Sequence, residues 1–488
     1  MARLGVGITY SSAIEELLHE APELFDVLEL EPQTFWTCRL DGPQRFSLPR
    51  DMLEHLSRLP GRKLIHSVGT PVGGTVAPDP EQLGLLGEMV DVFGCPWISD
   101  HLSYNQTPGF ATGFFLPPRQ TPAGVRAVIS SIRVLQDAVG VPVAVETGVN
   151  YLRPRPDELP DGAFVAEVVD TSGCGLLLDM HNVFTNAVNG RQPVDEFLDA
   201  IPLDRVWELH LAGGMEFDGF WLDAHSGAIP DALFAVCESL VPRLPNLAAI
   251  VFEIFPSFVP LAGLDVVRAQ VERLRALWDL RVPAPPAPGP VSIVPRARTA
   301  GGMDAVAPQV WEDALGALVI GHPHRGPAVE GLADDPGVRL MASLVREFRA
   351  SMIVGVLRLT SRLLMLALGS GAFRVILDDF WKATPPQMYA SLEAEAFAAY
   401  LEALDLGVPH LVEVLRFERA TAATLTDGQP RVVEFGCEPL PLLRALAVGR
   451  LPEKPPRGGR FEIELTPDVV ADATGLDPGE IERPFPYH

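Results

Sequence analysis

Apolar residues follow two different patterns in two parts of the 488-residue chain. In about the first 280 residues, short apolar runs typical of buried strands alternate with longer segments whose apolar residues recur at helical spacing. The predicted strands cover residues 4–8, 27–31, 63–68, 97–102, 142–147, 175–180, 205–211 and 249–254. The helical segments between them include 81–93, 123–139, 194–200, 231–240 and 264–280.

Eight strands that alternate with helices over about 280 residues predict a closed (β/α)8 barrel, the TIM barrel. The alternative with the same alternation is an open doubly wound sheet. Such a sheet usually carries a glycine-rich phosphate-binding turn after its first strand, whereas here Gly7 is followed by Ile8 and Thr9. The predicted fold class is therefore α/β, with a TIM barrel over residues 1–282.

A different pattern begins after the barrel. Residues 283–302 are rich in proline and predict an extended linker. Residues 303–488 are dominated by helical spacing, in segments 308–318, 338–357, 361–368, 372–380, 390–404 and 408–424. A turn at Asp427 and Gly428 then leads into two strand-like pieces, 431–435 and 460–465. The second domain is therefore predicted to be mainly helical with a small β element.

The composition is that of an ordinary globular protein, with 47% hydrophobic and 21% charged residues. The net charge of −25 disfavours nucleic acid as a partner, because it would repel a phosphate backbone. The N-terminus lacks the apolar core of a signal peptide, and Arg358 and Arg362 interrupt the most apolar stretch, so a membrane partner is not expected. Five widely spaced cysteines with no CxxC pair indicate reduced thiols and a cytoplasmic protein.

Three motifs near the end of the predicted barrel carry residues that an apolar core does not need. They read LLLDMHN at 176–182, WELHLAG at 207–213 and DAH at 223–225. Side chains two apart in a strand point the same way, so we expect Asp179 and His181 to share a face. Asp223 and His225 would share a face too if their segment is extended. Carboxylates and imidazoles at the ends of buried strands are typical ligands of a metal ion.

Similar residues follow the other predicted strands, and strand ends in such a barrel face one pocket. A lone histidine after an apolar run is usually a core residue, but five of them interleaved with carboxylates reverse that expectation. Asp100 would point away from its neighbour His101 in a regular strand, so we expect it to be structural or to support a ligand. The candidate metal ligands are His66, His101, Glu146, Asp179, His181, Asn182, His210, Asp223, His225 and Glu253.

These candidates are too many for one ion, since a zinc ion takes about four ligands. Two or three cations are therefore predicted, with Glu146 and Glu253 as the bridging carboxylates. Imidazole and carboxylate without thiolate suit iron, manganese or zinc, and the residues alone do not choose among them. Glu29 and Glu31 would share a face of the second strand, and Glu31 is expected near enough to the pocket to support a ligand.

The motifs resemble those of the multinuclear non-haem iron-dependent oxidases, TIM-barrel proteins that include the oxidase of methanobactin biosynthesis. ISDHLS at 98–103 and LELEPQTF at 28–35 agree with this resemblance, which covers about residues 3–275. It implies two or three iron ions in mixed Fe²⁺ and Fe³⁺ states and dioxygen as co-substrate. The implied substrate is a ribosomally made precursor peptide, often modified at cysteine. The implied catalytic iron ligands are His66, His101, Glu146, Asp179, His210, Asp223, His225 and Glu253.

The chain departs from the family pattern at two motifs. The usual sequence DVNN is replaced by Asp179-Met-His181-Asn182, and the usual EN after the fifth strand is Glu146-Thr147. The second domain resembles the partner proteins of these oxidases more weakly, through residues 380–386, 397–404 and 409–418. Such partners bind the precursor, so the resemblance implies a fusion of oxidase and partner. An unrelated helical cap or dimerisation domain is the alternative.

Two other functions remain open. Endonuclease IV-like hydrolases and xylose isomerase-like isomerases share the barrel and much of the ligand pattern, but they work without redox chemistry. A third class is a protein that sequesters metal or peptide without turnover. The acidic charge disfavours a DNA substrate, and the motif at 179–182 favours the oxidases.

Overall fold

The computed structural model describes residues 3–38, 45–282, 306–322, 324, 326 and 331–468. The predicted proline-rich linker at 283–302 lies outside the described residues. On either side of it the chain forms a barrel and a mainly helical part, as the two hydrophobic patterns predict.

Eight parallel strands form a closed barrel. Each strand pairs with its neighbour in the chain, and the last pairs with the first to complete the ring. The predicted TIM barrel is therefore confirmed. The strands are β1 Gly5–Thr9, β2 Val27–Leu30, β3 Arg62–Ser67, β4 Ile98–His101, β5 Val143–Glu146, β6 Gly175–Asp179, β7 Val206–Ala212 and β8 Ala249–Glu253.

The inside of the barrel is filled in layers. A cluster of apolar residues comes from the amino-terminal halves of all eight strands or the residues just before them, and side chains from every strand can meet only inside the ring. Within it, Trp97 and Trp207 pack edge to face with ring centroids 6.3 Å apart. Trp207 is the extra residue of a bulge, because β7 advances from Val206 to Glu208 while β6 advances by one residue. Glu208 and His210 lie further along the same strand and are buried.

Helices connect the strands on the outside. In the third of them, Asp79 caps the first turn by accepting a hydrogen bond from the backbone N–H of Glu81 at 2.9 Å, and the helix ends at Gly94 with φ of 61°. The helices are α1 Glu15–Glu20, α2 Arg50–Arg58, α3 Pro80–Phe93, α4 Pro122–Val139, α5 Asp161–Ser172, α6 Met180–Val188, α7 Val194–Ala200, α8 Asp231–Leu240, α9 Val259–Ala262 and α10 Leu264–Asp279.

The second part has its own apolar core, which includes Phe380, Phe397 and Phe435. The hairpin strands β9 Arg431–Cys437 and β10 Gly458–Leu465 pair antiparallel. No single helix among the described residues has the length and hydropathy of a membrane span. The helices Pro336–Val356 and Arg358–Leu368 pass such a test only as a pair, which is bent by 107°. The helices are α11 Pro308–Val319, α12 Pro336–Val356, α13 Arg358–Leu368, α14 Ser370–Ala383, α15 Ala390–Glu402, α16 Leu411–Asp427 and α17 Pro439–Ala447.

Helix α11 packs on loops of the barrel, where it shares an apolar cluster with them. Trp311 lies against two guanidinium groups, with Cζ of Arg119 and Arg155 at 4.4 and 4.8 Å from a ring centroid. The carboxylate of Glu312 accepts hydrogen bonds from the backbone N–H of Thr75 at 3.0 and 3.1 Å, and from the Thr75 hydroxyl. The second part is therefore attached to the barrel beside the loop that follows β3.

Candidate metal centre

The predicted ligands lie at the carboxyl ends of the barrel strands, around one mouth. Asp223 and His225 lie in the loop after β7, and His181 and Asn182 lie in the first turn of α6. The other six are strand residues, taken in order from β3 to β8: His66, His101, Glu146, Asp179, His210 and Glu253.

His66, His101 and Glu146 form the first ligand group. The Nε2 atoms of His66 and His101 lie 3.2 and 3.0 Å from Oε2 of Glu146. Nδ1 of His101 lies 3.1 Å from the backbone oxygen of Ser67, and Nδ1 of His66 lies 2.9 Å from Oγ of Ser99. A carbonyl oxygen can only accept, so His101 carries its proton on Nδ1 and presents a lone pair at Nε2. The three facing atoms are therefore arranged as ligands of one cation.

Glu146, Asp179, His210 and Glu253 form the second group, and their ligand atoms all lie within 4.8 Å of one another. Nδ1 of His210 is 3.2 Å from Oε1 of Glu253 and 3.8 Å from Oε1 of Glu146. Glu146 belongs to both groups, because its Oε2 faces the first group and its Oε1 faces the second. It therefore has the position expected of a bridging carboxylate.

A third group lies on the other side of Glu253. Nε2 of His225 is 2.9 Å from Oδ1 of Asp223 and 3.6 Å from Oε2 of Glu253. Nε2 of His181 is 3.7 Å from the same Asp223 oxygen. His225 has a φ of 45°, in the left-handed region, and residues 223–225 belong to no strand, so the two side chains do not meet on a shared strand face. Glu253 links this group to the second one.

Many buried polar atoms of these groups make no hydrogen bond. They are Oε2 of Glu146 and Glu253, Oδ2 of Asp179, Oδ1 of Asp223, Nε2 of His225 and both ring nitrogens of His181 and of His210. Burying an unpaired carboxylate is strongly unfavourable, and cations between the carboxylates offset that cost. The donors are imidazole nitrogens and carboxylate oxygens, with no cysteine among them. The residues present therefore fit a cluster of iron, manganese or zinc ions.

Electrostatics of the side chains lead to the same conclusion. Burial opposes a charge on His66, but Glu146 and Glu29 outweigh it and raise the pKa of that imidazole to about 10. Burial, reinforced by Glu253 and Glu146, raises the pKa of the Asp179 carboxyl well above its usual value. Protons would have to neutralise the crowded carboxylates without cations, and metal ions displace such protons when they bind.

Asp179 and His181 do not share a strand face, and this prediction was wrong. β6 ends at Asp179, whose Oδ1 accepts a hydrogen bond from the backbone N–H of Asn182 at 2.8 Å and so caps α6. His181 therefore points into the centre from the first turn of a helix. It is 0% exposed, and burial lowers its pKa, which keeps the imidazole neutral.

Two further polar residues beside the ligands are held mainly by the protein. The Asn182 side-chain amide donates to the backbone oxygen of Thr147 at 3.0 Å, and only its Oδ1 lacks a hydrogen bond. Asp100 accepts hydrogen bonds from the backbone N–H of His101 at 2.7 Å and from the Thr70 hydroxyl at 2.8 Å. Asp100 therefore anchors the backbone of a candidate ligand, which is the structural role considered for it.

Two carboxylates below the centre were not recognised as part of it from the sequence. Glu29 and Glu208 are fully buried and form a cluster with His210. Nε2 of His210 lies 2.9 Å from Oε1 of Glu29 and 3.9 Å from Oε1 of Glu208. Oε2 of Glu208 accepts a hydrogen bond from the Trp97 indole at 2.9 Å. A signal existed for Glu208, because it lies two residues before His210 in a strand and shares its face.

A cavity of about 200 Å³ opens beside the third group. His225 and Glu253 form part of its wall, so a molecule in the cavity would contact that group. The wall also includes Ser12, Thr34, Phe35 and the acidic Glu31, but no lysine or arginine of the described chain. The cavity therefore suits a neutral group better than an anion.

Residues 4–276 match the family of RiPP precursor modification enzymes MbnB/TglH/ChrH, where RiPP stands for a ribosomally synthesised and post-translationally modified peptide. The chain belongs to this family. The resemblance inferred from the motifs is thereby confirmed, and enzymes of this family act on a precursor peptide.

Curated relatives carry the name UPF0276 protein. The one from Chromobacterium violaceum is 30% identical over 264 residues, which are 54% of this chain and 94% of the relative. The one from Streptomyces avermitilis is 29% identical over 232 residues, which are 46% of this chain and 47% of the relative. Among solved structures, the apo form of 3-keto-D-glucoside 4-epimerase from E. coli is 15% identical, with a TM-score of 0.34, over 56% of this chain and 98% of that chain.

Proposed function

We propose that this chain is a multinuclear iron oxidase that uses dioxygen to modify a cysteine of a ribosomally made precursor peptide. The observation that carries the proposal is the sharing of carboxylates: the buried Glu146 and Glu253 join three groups of imidazole and carboxylate ligands within a barrel of the RiPP-modifying family. Two or three iron ions are the cofactors that such a set would hold.

The protein supplies the geometry for this chemistry. His66, His101 and Glu146 would hold one ion, and His210 with Asp179 and the two shared carboxylates would hold the next. When bound, iron supplies electrons for the reduction of dioxygen and lowers the pKa of a thiol that coordinates it. Phe115 stacks on the ring of His101 with centroids 4.2 Å apart and covers that side of the centre.

The cavity beside the third group supports an approach of the peptide from the opposite side. A cysteine side chain is small and neutral, and it would reach His225 and Glu253 without meeting a cationic wall. Ser12 and Thr34 line the same cavity, and the Thr34 hydroxyl, which donates to the backbone oxygen of Glu31 at 2.6 Å, keeps lone pairs that would accept hydrogen bonds from N–H groups of a bound peptide.

The C-terminal part is proposed to bind the precursor and to present it to the barrel. Its attachment beside the mouth supports this role, since Glu312 bonds the loop after β3 and Val72 of that loop donates to the backbone oxygen of His101 at 3.0 Å. Tyr389, at the start of α15, also packs on Phe46 of the barrel with centroids 5.3 Å apart.

The test uses full-length protein purified without oxygen. Metal analysis is expected to find iron. When a cysteine-containing peptide encoded beside the gene is added, the protein is expected to consume dioxygen, and the mass of the peptide is expected to change. Glu146→Gln removes a bridging charge and should abolish both oxygen uptake and the mass change. Zinc as the stoichiometric metal together with DNA nicking would favour a hydrolase. Tight peptide binding without oxygen uptake would favour a sequestering protein.

A further inference from the structure

The imidazoles of the first two ligand groups differ in what lies behind them. His101 faces a backbone carbonyl with Nδ1, and His66 faces the hydroxyl of Ser99. His210 instead turns Nε2 towards Oε1 of Glu29, 2.9 Å away. Of these three imidazoles, His210 alone is backed by carboxylates in the described structure.

We propose that Glu29 is the positioning residue of His210. Its carboxylate faces the proton on Nε2, so that Nδ1 keeps its lone pair for the metal ion of the second group. The inference rests on the metal centre of the proposed function, but it does not depend on the peptide or on the oxidation.

The two nitrogens of a neutral imidazole have opposite roles, because one carries the proton and the other a lone pair. Nδ1 of His210 is directed at the second group, 3.2 Å from Oε1 of Glu253. A cation bound there requires the lone pair on Nδ1, which places the proton on Nε2. That proton then lies beside the buried carboxylate of Glu29, which is 0% exposed.

Glu29 suits this role better than the neighbouring Glu208. Oε1 of Glu208 is 3.9 Å from Nε2 of His210, and its other oxygen is engaged by the Trp97 indole. Glu29 is closer, and its Oε1 accepts a hydrogen bond from the hydroxyl of Thr9 at 3.3 Å. Thr9 is the register partner of Glu29 between β1 and β2, so the carboxylate is held by the barrel itself.

A carboxylate behind a ligating imidazole fixes the orientation of its ring and makes its nitrogen a stronger donor. The first group lacks this support, because a hydroxyl and a carbonyl stand in the same places. The second group should therefore bind its ion more tightly than the same ligands would without a supporting carboxylate. Glu29 should account for that difference in affinity.

The experiment titrates cobalt(II) into metal-free protein without oxygen, against a competing chelator. Glu29→Ala removes the carboxylate and should lower the affinity for one equivalent of cobalt by roughly 10- to 100-fold. Glu29→Gln keeps an acceptor oxygen without the charge and should restore part of that affinity. Glu312→Gln is the matched control, because its carboxylate is also buried but bonds Thr75 instead of a ligand.

Two further readouts separate positioning from a merely structural role. Proton NMR of the cobalt-loaded protein should show a shifted imidazole N–H signal in H₂O that disappears in D₂O, and Glu29→Ala should move or remove that signal. The melting temperature of the metal-free protein reports on the fold alone. A lower melting temperature with unchanged cobalt affinity and an unchanged N–H signal would overturn the proposal.

Glu208→Gln tests the alternative that a cation, instead of a proton, lies between the two lower carboxylates. The proposal predicts an unchanged number of cobalt equivalents in this variant, and loss of a whole equivalent would overturn it. Neither measurement uses the peptide. An absence of oxygen uptake with intact cobalt effects would therefore contradict the proposed function alone.

Discussion

The Nε2 atoms of His66 and His101 lie 3.4 Å apart, and Oε2 of Glu146 is within 3.2 Å of both. Two imidazole nitrogens and a carboxylate oxygen at this spacing need a positive charge among them. A proton serves in the metal-free protein, since the pKa of His66 is raised to about 10. A metal ion satisfies all three atoms at once, so metal binding and stability should be linked.

The first prediction follows from that linkage. Adding iron(II) to metal-free protein without oxygen should raise the melting temperature, because a ligand at about 100 times its Kd stabilises the folded state by about 2.7 kcal/mol. His66→Ala should lose part of this gain and bind one equivalent less. His19→Ala, in an exposed position on α1, is the control. An equal gain in His66→Ala and wild-type protein would show that this group does not bind metal.

The second prediction concerns His181, whose two ring nitrogens are buried and make no hydrogen bond. We expect His181 to be a ligand beside Asp223. His181→Asn shortens the side chain and should therefore weaken the binding of the ion in the third group. Metal analysis after partial chelation should find fewer equivalents in this variant than in wild-type protein. His19→Asn makes the same change on the surface and should retain the full content. Equal metal contents in all three proteins would exclude His181 as a ligand.

The third prediction concerns the attachment of the two parts. Trp311 is 3% exposed and lies against Arg119 and Arg155. Trp311→Ala should cost about 3–5 kcal/mol of unfolding free energy, the range typical of a buried aromatic residue. Denaturant unfolding is expected to separate into two transitions, because the barrel and the helical part keep their own cores.

Val310→Ala is the control for that variant, since Val310 is 48% exposed on the same helix. Fluorescence and far-UV circular dichroism that still change together in Trp311→Ala, as in wild-type protein, would contradict the prediction.

The fourth prediction concerns pH. Burial outweighs the hydrogen bonds from Thr75 and raises the pKa of Glu312 to about 7. A carboxyl whose folded-state pKa is raised contributes stability that is complete below its unfolded pKa of about 4.3 and is lost as the pH rises through about 7. Wild-type protein should therefore lose stability between about pH 5 and about pH 8, and Glu312→Gln should lose less.

The comparison is made on differences in melting temperature between variant and wild type, because Glu418 also has a pKa raised to about 7 by burial. Glu16→Gln, at an exposed position, should leave the pH dependence as it is in wild-type protein. A Glu312→Gln profile parallel to that of wild-type protein would refute the role of this carboxyl.

The barrel was predictable because its strands are buried on both faces and its helices have one apolar face. The strands therefore appear in the sequence as short apolar runs, and the helices appear as segments with apolar residues at helical spacing. The placement of ligands around one mouth followed from that alone, since every strand end in such a barrel faces the same side. Asp179 was harder to interpret, because a carboxylate after an apolar run can continue a strand or cap a helix. Here it caps α6, and no strand alternation applies to His181.

Other features depend on contacts between distant segments. Glu29 lies inside an apolar strand, and its contact with His210 arises only when β2 and β7 stand across the closed barrel. The pairing of Trp311 with Arg119 and Arg155 likewise joins segments about 150 to 190 residues apart, and no local period in the sequence encodes it. The helix α17 between the two hairpin strands was missed as well.

Trp97 and Trp207 fill the barrel beneath Glu29 and Glu208, so they close that side of the metal centre to small molecules. Under the proposed function, dioxygen and the peptide would both reach the centre from the carboxyl ends of the strands. A seated peptide would then lie across the path of the gas. The closed floor of the barrel would then impose an order of binding, and the turnover rate would depend on whether dioxygen or the peptide binds first.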